Sequence, residues 1–182
     1  MKVEIKRGKE LSGDELLVIN EGRQREFASK DPIKPVPSNV NWEAVFFLVK
    51  ADMDQVLAFG KLHAIEVIFQ GVTYTVWCIS TLVSLDKGKG YGRRILKEME
   101  NYLRTQEETA LGFCETELLS FYQKCGVEFL TKEDNQFFYV TKNGKQINDP
   151  NIVPGEVIFI WGKDGLMEKI MASKDKRVGV ID

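Results

Sequence analysis

The chain has 182 residues, a length that suits one domain of ordinary size, 1–182. Apolar residues make up 43% and charged residues 29%, a globular balance, and a net charge of −2 points to neither nucleic acid nor an anionic membrane as partner. The charged start Met1-Lys2-Val3-Glu4-Ile5-Lys6-Arg7 does not read as a signal peptide. Cys78, Cys114 and Cys125 are odd in number and lack metal-ligand spacing, so they fit a reducing cytoplasm and no metal site.

In chain order, Val3–Arg7 alternates like an edge strand. Ser12–Phe27 reads as a helix, with Ser12 as N-cap and Glu15 at capping-box spacing; Leu16, Leu17, Ile19 and Phe27 supply its apolar side. Pro32, Pro35 and Pro37 make 28–41 a loop, either a flap over a substrate or a passive connection. Trp42–Ala51 reads as a strand, Asp52-Met53-Asp54 as a turn, and Gln55–Phe69 as a long strand with a bulge expected at Gly60. The uncharged run Val67–Leu85 nears the length of a membrane span. It contains the turn signal Gln70-Gly71 and is rich in Val, Ile, Thr, Tyr and Trp, so it reads as an antiparallel hairpin. A helix over about Gly90–Thr105 carries Tyr91, Ile95, Met99, Tyr102 and Leu103 on one face. Ala110–Cys114 is a short buried strand, and a helix holding Tyr122 follows. Asn143-Gly144 marks a hairpin between Phe137–Thr141 and Lys145–Ile147. Strands are expected over 136–163, the last at Val157–Trp161, and a charged, mobile tail over 174–182.

Between the hairpin and the long helix stands Lys87-Gly88-Lys89-Gly90-Tyr91-Gly92-Arg93-Arg94. A strand that empties through glycines into a helix makes an anion site. The backbone can approach closely, and the first helical N–H groups have no partner within the helix. A Walker A run is absent, and Arg93 stands where the third glycine of a dinucleotide fingerprint would be. The stretch Lys87-Gly88-Lys89-Gly90-Tyr91-Gly92 resembles the [RQ]-x-x-G-x-[GA] signature of the GNAT superfamily of acyl-CoA-dependent N-acyltransferases. Lys87 replaces the usual Arg or Gln, and the loop from Val83 is about one residue shorter than the common form. Downstream, Phe121-Tyr122, Lys124 and Gly126 match that family's second motif, whereas Glu115, Cys125 and Val127 stand where Asn, Leu and Phe are usual. The resemblance covers about residues 42–130.

The resemblance implies an α+β fold: a mostly antiparallel central sheet, splayed open between its fourth and fifth strands, with helices on both faces. It implies acetyl-CoA as co-substrate, with no metal. The pyrophosphate would lie on Lys87, Gly88, Lys89, Gly90, Tyr91, Gly92 and Arg93, and pantetheine along the backbone of Leu82, Val83, Ser84 and Leu85, with Phe121 beside it. Acetyl transfer to a primary amine of a small molecule or protein would proceed by direct attack in a ternary complex, with a backbone N–H near Val83 facing the developing oxyanion. Tyr122 matches the family's tyrosine and is the expected general acid toward the CoA sulfur. The strand Val72–Leu85 carries no carboxylate or histidine to serve as base. Glu115, His63, Glu66 and Asp86 are candidates, as is ordered water alone. The long hairpin followed by a late strand is loosely similar to aminoglycoside 2′-N-acetyltransferases. The expected protein is a cytoplasmic enzyme, monomer or homodimer, binding acyl-CoA and an amine acceptor, without nucleic acid or membrane. A non-catalytic acyl-CoA-binding or sensor domain of the same fold is the alternative.

Overall fold

In a computed structural model, the described residues are 2–28, 31–130, 136–141, 146, 156–160, 165–173 and 177–181. The elements run β1 (Lys2–Arg7), α1 (Gly13–Phe27), β2 (Val45–Lys50), β3 (Val56–Phe69), β4 (Val72–Ser84), α2 (Tyr91–Gln106), β5 (Ala110–Cys114), α3 (Leu119–Lys124), β6 (Glu128–Leu130), β7 (Gln136–Val140), β8 (Glu156–Ile160), α4 (Leu166–Ala172) and β9 (Arg177–Ile181). The class is the predicted α+β, with α4 and β9 beyond the expected elements. The chain divides into two compact units, Met1–His63 with Ile79–Asn101, and Ala64–Cys78 with Tyr102–Asp182. β3, β4 and α2 each run through both.

In the first unit, β1, β2 and β3 form an antiparallel ladder, and β3 neighbours β4. Ser12 caps α1 as predicted: its hydroxyl accepts from the Glu15 N–H, and the Glu15 carboxylate accepts from the Ser12 N–H at 2.7 Å. The buried stripe of α1 is Glu15, Ile19 and Gly22, one face at helical spacing. Leu17 and Phe27, expected on the apolar side, point away from that stripe and are 58% and 52% exposed. Ile19 packs with Ile33, Phe46, Leu48, Phe59 and Val83. The register shift in β2–β3 falls at Val49/Lys50, so the bulge expected at Gly60 is not there; Gly60 pairs regularly with Phe47. Its missing side chain serves the opposite face. A Cβ at Gly60 would stand 2.8 Å from atoms of Ile95 and Met99, so the glycine lets α2 lie close on the strand.

A buried ion cluster joins β1, α1 and β2. Lys50 Nζ contacts Glu4 at 2.6 Å and Glu15 at 2.7 Å, and Lys6 Nζ contacts Glu15 at 2.7 Å. Burial opposes the Glu15 charge, but Lys50, Lys6 and the Ser12 N–H outweigh it and hold the carboxyl at about 2. Glu15 and Glu4 overcome burial at Lys50 and raise its ammonium.

In the second unit, Gln70 (φ 50°) and Gly71 (φ 76°) close the β3–β4 hairpin, so the uncharged run is two strands and a turn. β4 pairs with β5 in parallel at Trp77↔Ala110 and Cys78↔Leu111; β5 pairs with β8, and β8 with β6. The expected mobile tail is instead β9. It pairs with Val67–Phe69 of β3 and with β7, and buries Val178 and Val180. Two valines spaced by one residue, both facing the core, outweigh the charges that precede them. Leu166, Met167 and Ile170 of α4, an element the sequence pattern did not reveal, pack into this core with Leu111 and Phe137. Asn143-Gly144 and Trp161 lie outside the described residues; Val140 bridges Gln146 antiparallel.

Candidate active site

The predicted phosphate-loop residues lie together in the first unit. Gly88 (φ 80°) and Gly90 (φ 76°) are both left-handed, and a Cβ at either would meet nothing within 4 Å, so the loop is open. The Arg94 N–H donates to the Gly90 carbonyl at 3.2 Å, which starts α2. The N–H groups of Tyr91, Gly92 and Arg93 precede that bond and have no partner within the helix. The first turn holds no acidic residue. These features suit an anion. Lys87 does not stand open: its ammonium pairs with Glu26 of α1.

Upstream of the loop, Thr81 has φ 57° within β4. A β-branched residue in the left-handed region is an outlier, and such strain concentrates at functional positions. It locally re-aims the strand just before Leu82, Val83, Ser84 and Leu85. Beyond it the Leu85 N–H donates to the Leu57 carbonyl at 2.9 Å. Nothing in the sequence marks this kink, because threonine is an ordinary strand residue.

On the same stretch of hairpin, His63 Nδ1 lies 3.1 Å from Ser80 Oγ. That hydroxyl also donates, at 3.4 Å, to the Lys61 carbonyl. Lys61 is buried and its Nζ donates to Asn41 Oδ1 at 3.0 Å. Burial, and next the Lys61 charge, depress the imidazole to about 4, so His63 is neutral at pH 7. The proline-containing loop is held by side chains. Asn20 of α1 accepts from the Ile33 N–H at 2.7 Å and donates to the Ile33 carbonyl, and Arg23 donates to the Asp31 carbonyl.

Phe121, Tyr122 and Glu115 belong to the second unit. Tyr122 on α3 is 7% exposed and meets Phe121 edge-on at 5.1 Å between centroids. Burial, then the thiols of Cys114 and Cys125, raise its phenol, so the hydroxyl keeps its proton throughout the physiological range. Glu115 follows β5 as the residue before a 3-10 turn at Thr116–Leu118. Its carbonyl accepts from the Leu118 N–H at 2.9 Å, and its side chain is exposed and caps nothing. Among the described residues, no three His, Cys, Asp or Glu side chains gather as metal ligands would, and no helix is long and apolar enough to cross a membrane.

The fold has close counterparts. ElaA of Escherichia coli is 12% identical, with a TM-score of 0.55 over 87% of this chain and 99% of its own. An acyl-CoA N-acyltransferase from Pseudomonas aeruginosa is 15% identical, with a TM-score of 0.53 over 87% and 97%. An N-acetyltransferase from Staphylococcus aureus Mu50 is 15% identical, with a TM-score of 0.54 over 88% and 98%. At such identities the likeness is one of fold. No curated protein matches the sequence. The family model described as the acetyltransferase (GNAT) family matches residues 16–127, a span that includes the glycine loop, Tyr122 and most of the second motif, and the chain belongs to that family.

Proposed function

We propose that the protein is an N-acetyltransferase that moves an acetyl group from acetyl-CoA to a primary amine of a small molecule or protein, by direct attack in a ternary complex. The observation that carries this reading is the open loop with left-handed Gly88 and Gly90 at the start of α2, inside the segment that matches the family. Bound there, acetyl-CoA supplies the activated thioester. The N–H groups of Tyr91, Gly92 and Arg93 and the positive end of α2 hold pyrophosphate, joined by Lys87, Lys89 and Arg93. The backbone of Leu82–Leu85, which follows the kink at Thr81, aligns the pantetheine arm and offers an N–H near Val83 to the thioester carbonyl. Tyr122 gives its proton to the departing sulfur, and its raised phenol keeps that proton on oxygen until the sulfur carries charge. Glu115, exposed after β5, lies on the solvent side and serves the acceptor rather than the sulfur. Cys78, Cys114 and Cys125 form no disulfide, in keeping with a reducing cytoplasm.

Calorimetric titration with acetyl-CoA, with ATP and NADH as controls, tests the reading. Selective micromolar binding of acetyl-CoA is expected; tight ATP or NADH binding in its place would overturn it. Tyr122→Phe is expected to lower turnover by roughly 10²-fold while leaving acetyl-CoA affinity nearly unchanged; full activity in that variant removes the acid assignment. A non-catalytic acyl-CoA-binding domain is the second reading, favoured by the lack of any carboxylate or histidine on β4. It predicts binding without turnover on any primary amine.

A further inference from the structure

Resting on the acyl-transfer reading above, we propose that His63 takes the proton from the acceptor amine through Nε2, and that Ser80 is the positioning residue that fixes the imidazole proton on Nδ1. β4 has no carboxylate or histidine to act as base, but it has Ser80, and Ser80 reaches a histidine on the neighbouring strand. The hydroxyl has one proton. Donated to the Lys61 carbonyl, it leaves Oγ free to accept from Nδ1–H, and the Nε2 lone pair is then available. Ser80 immediately precedes the Thr81 kink, so the pair stands beside the backbone that aligns the thioester.

The face is the appropriate one. Phe59, Lys61 and His63 alternate along β3, and Phe59 packs against Ile19 of α1, while Gly60 turns the other face to α2. Lys61 on that face reaches Asn41 of the proline-containing loop. Lys61 is the charged group whose field acts on His63. Burial, and after it that field, keeps the imidazole unprotonated, and the field biases a nearby amine toward its free base, the form that attacks. In the step, the amine electron pair forms the N–C bond, the N–H proton passes to His63 Nε2, the C–S bond breaks, and the sulfur takes the Tyr122 proton. The imidazolium then gives its proton to water and the Tyr122 phenolate takes one back from water, which restores both groups.

Because His63 is the sole histidine, its ring nitrogens can be read without assignment in untagged, ¹⁵N-labelled protein. The expected spectrum shows the proton on Nδ1 at pH 7, and in Ser80→Ala a mixture of tautomers; a wild-type ring protonated on Nε2 overturns the proposal whether or not turnover is seen. In steady-state kinetics with acetyl-CoA and a panel of primary amines, His63→Gln is expected to lose about 10²-fold in kcat/KM for the amine with acetyl-CoA affinity unchanged. Ser80→Ala should lose less, and Ser80→Thr should regain the loss. Wild-type turnover with undiminished His63→Gln turnover overturns the base assignment alone. Wild-type protein that turns over no amine overturns the acyl-transfer reading and the base with it.

Discussion

Gly90, like Gly88, holds the loop in the left-handed region. Its φ of 76° penalises every side chain, yet the space around a Cβ there is empty, so strain and charge can be separated by substitution. Gly90→Ala adds strain of about 1 kcal/mol and should weaken acetyl-CoA binding by up to about tenfold. Gly90→Asp adds a negative charge at an anion site and should abolish measurable binding, with circular dichroism showing the helix content retained; equal affinities in wild type and Gly90→Asp would remove the loop from the site. At this scale the sequence was informative where chemistry depends on spacing. Lys87–Arg93, Phe121 and Tyr122 enter the proposed site because they match family motifs that place particular residue types at fixed intervals. Thr81 and Ser80 could not be read this way, because a kink at a β-branched residue and a cross-strand hydroxyl leave no compositional trace.

The elements were legible for the same reason and failed for the opposite one. The capping box set the start of α1, and the Gln70-Gly71 turn set both long strands. Their hydrophobic period was misread on α1 because its buried stripe contains a carboxylate and a glycine, neither of which scores as apolar. Glu15 is nonetheless the residue through which α1 is tied to β1 and β2. Glu15→Gln leaves two lysines facing a neutral amide, with Glu4 still beside both, at 2.6 Å from Lys50 and 3.6 Å from Lys6. A loss of about 3 kcal/mol is expected in urea denaturation, the low end for breaking a buried pair. A loss below about 0.5 kcal/mol, the range of ordinary surface changes, would show the cluster to be energetically idle.

For the molecule as a whole, the same groups set the response to acid. Glu15 titrates at about 2 when folded, against 4.5 in the unperturbed carboxyl, so its stabilisation is present above 4.5 and is lost as pH falls toward 2. His63 titrates at about 4 against 6.5, so the unfolded chain gains its proton first and stability falls between 6.5 and 4. Both act in one direction, and scanning calorimetry should show Tm falling steadily from pH 6.5 downward. One transition is the outcome expected of one domain, since β3, β4 and α2 cannot melt in part without cutting an element; two resolved transitions would make the units independent. The placement of β9 has a consequence for how fast this state is reached. The β3–β4 hairpin closes on neighbouring residues, whereas Val67 must find Val180 across most of the remaining chain. That closure is slow to search for and late to be rewarded, so the outer edge of β3 at Val67–Phe69 spends the longest part of folding bare, a template for any other strand that reaches it first.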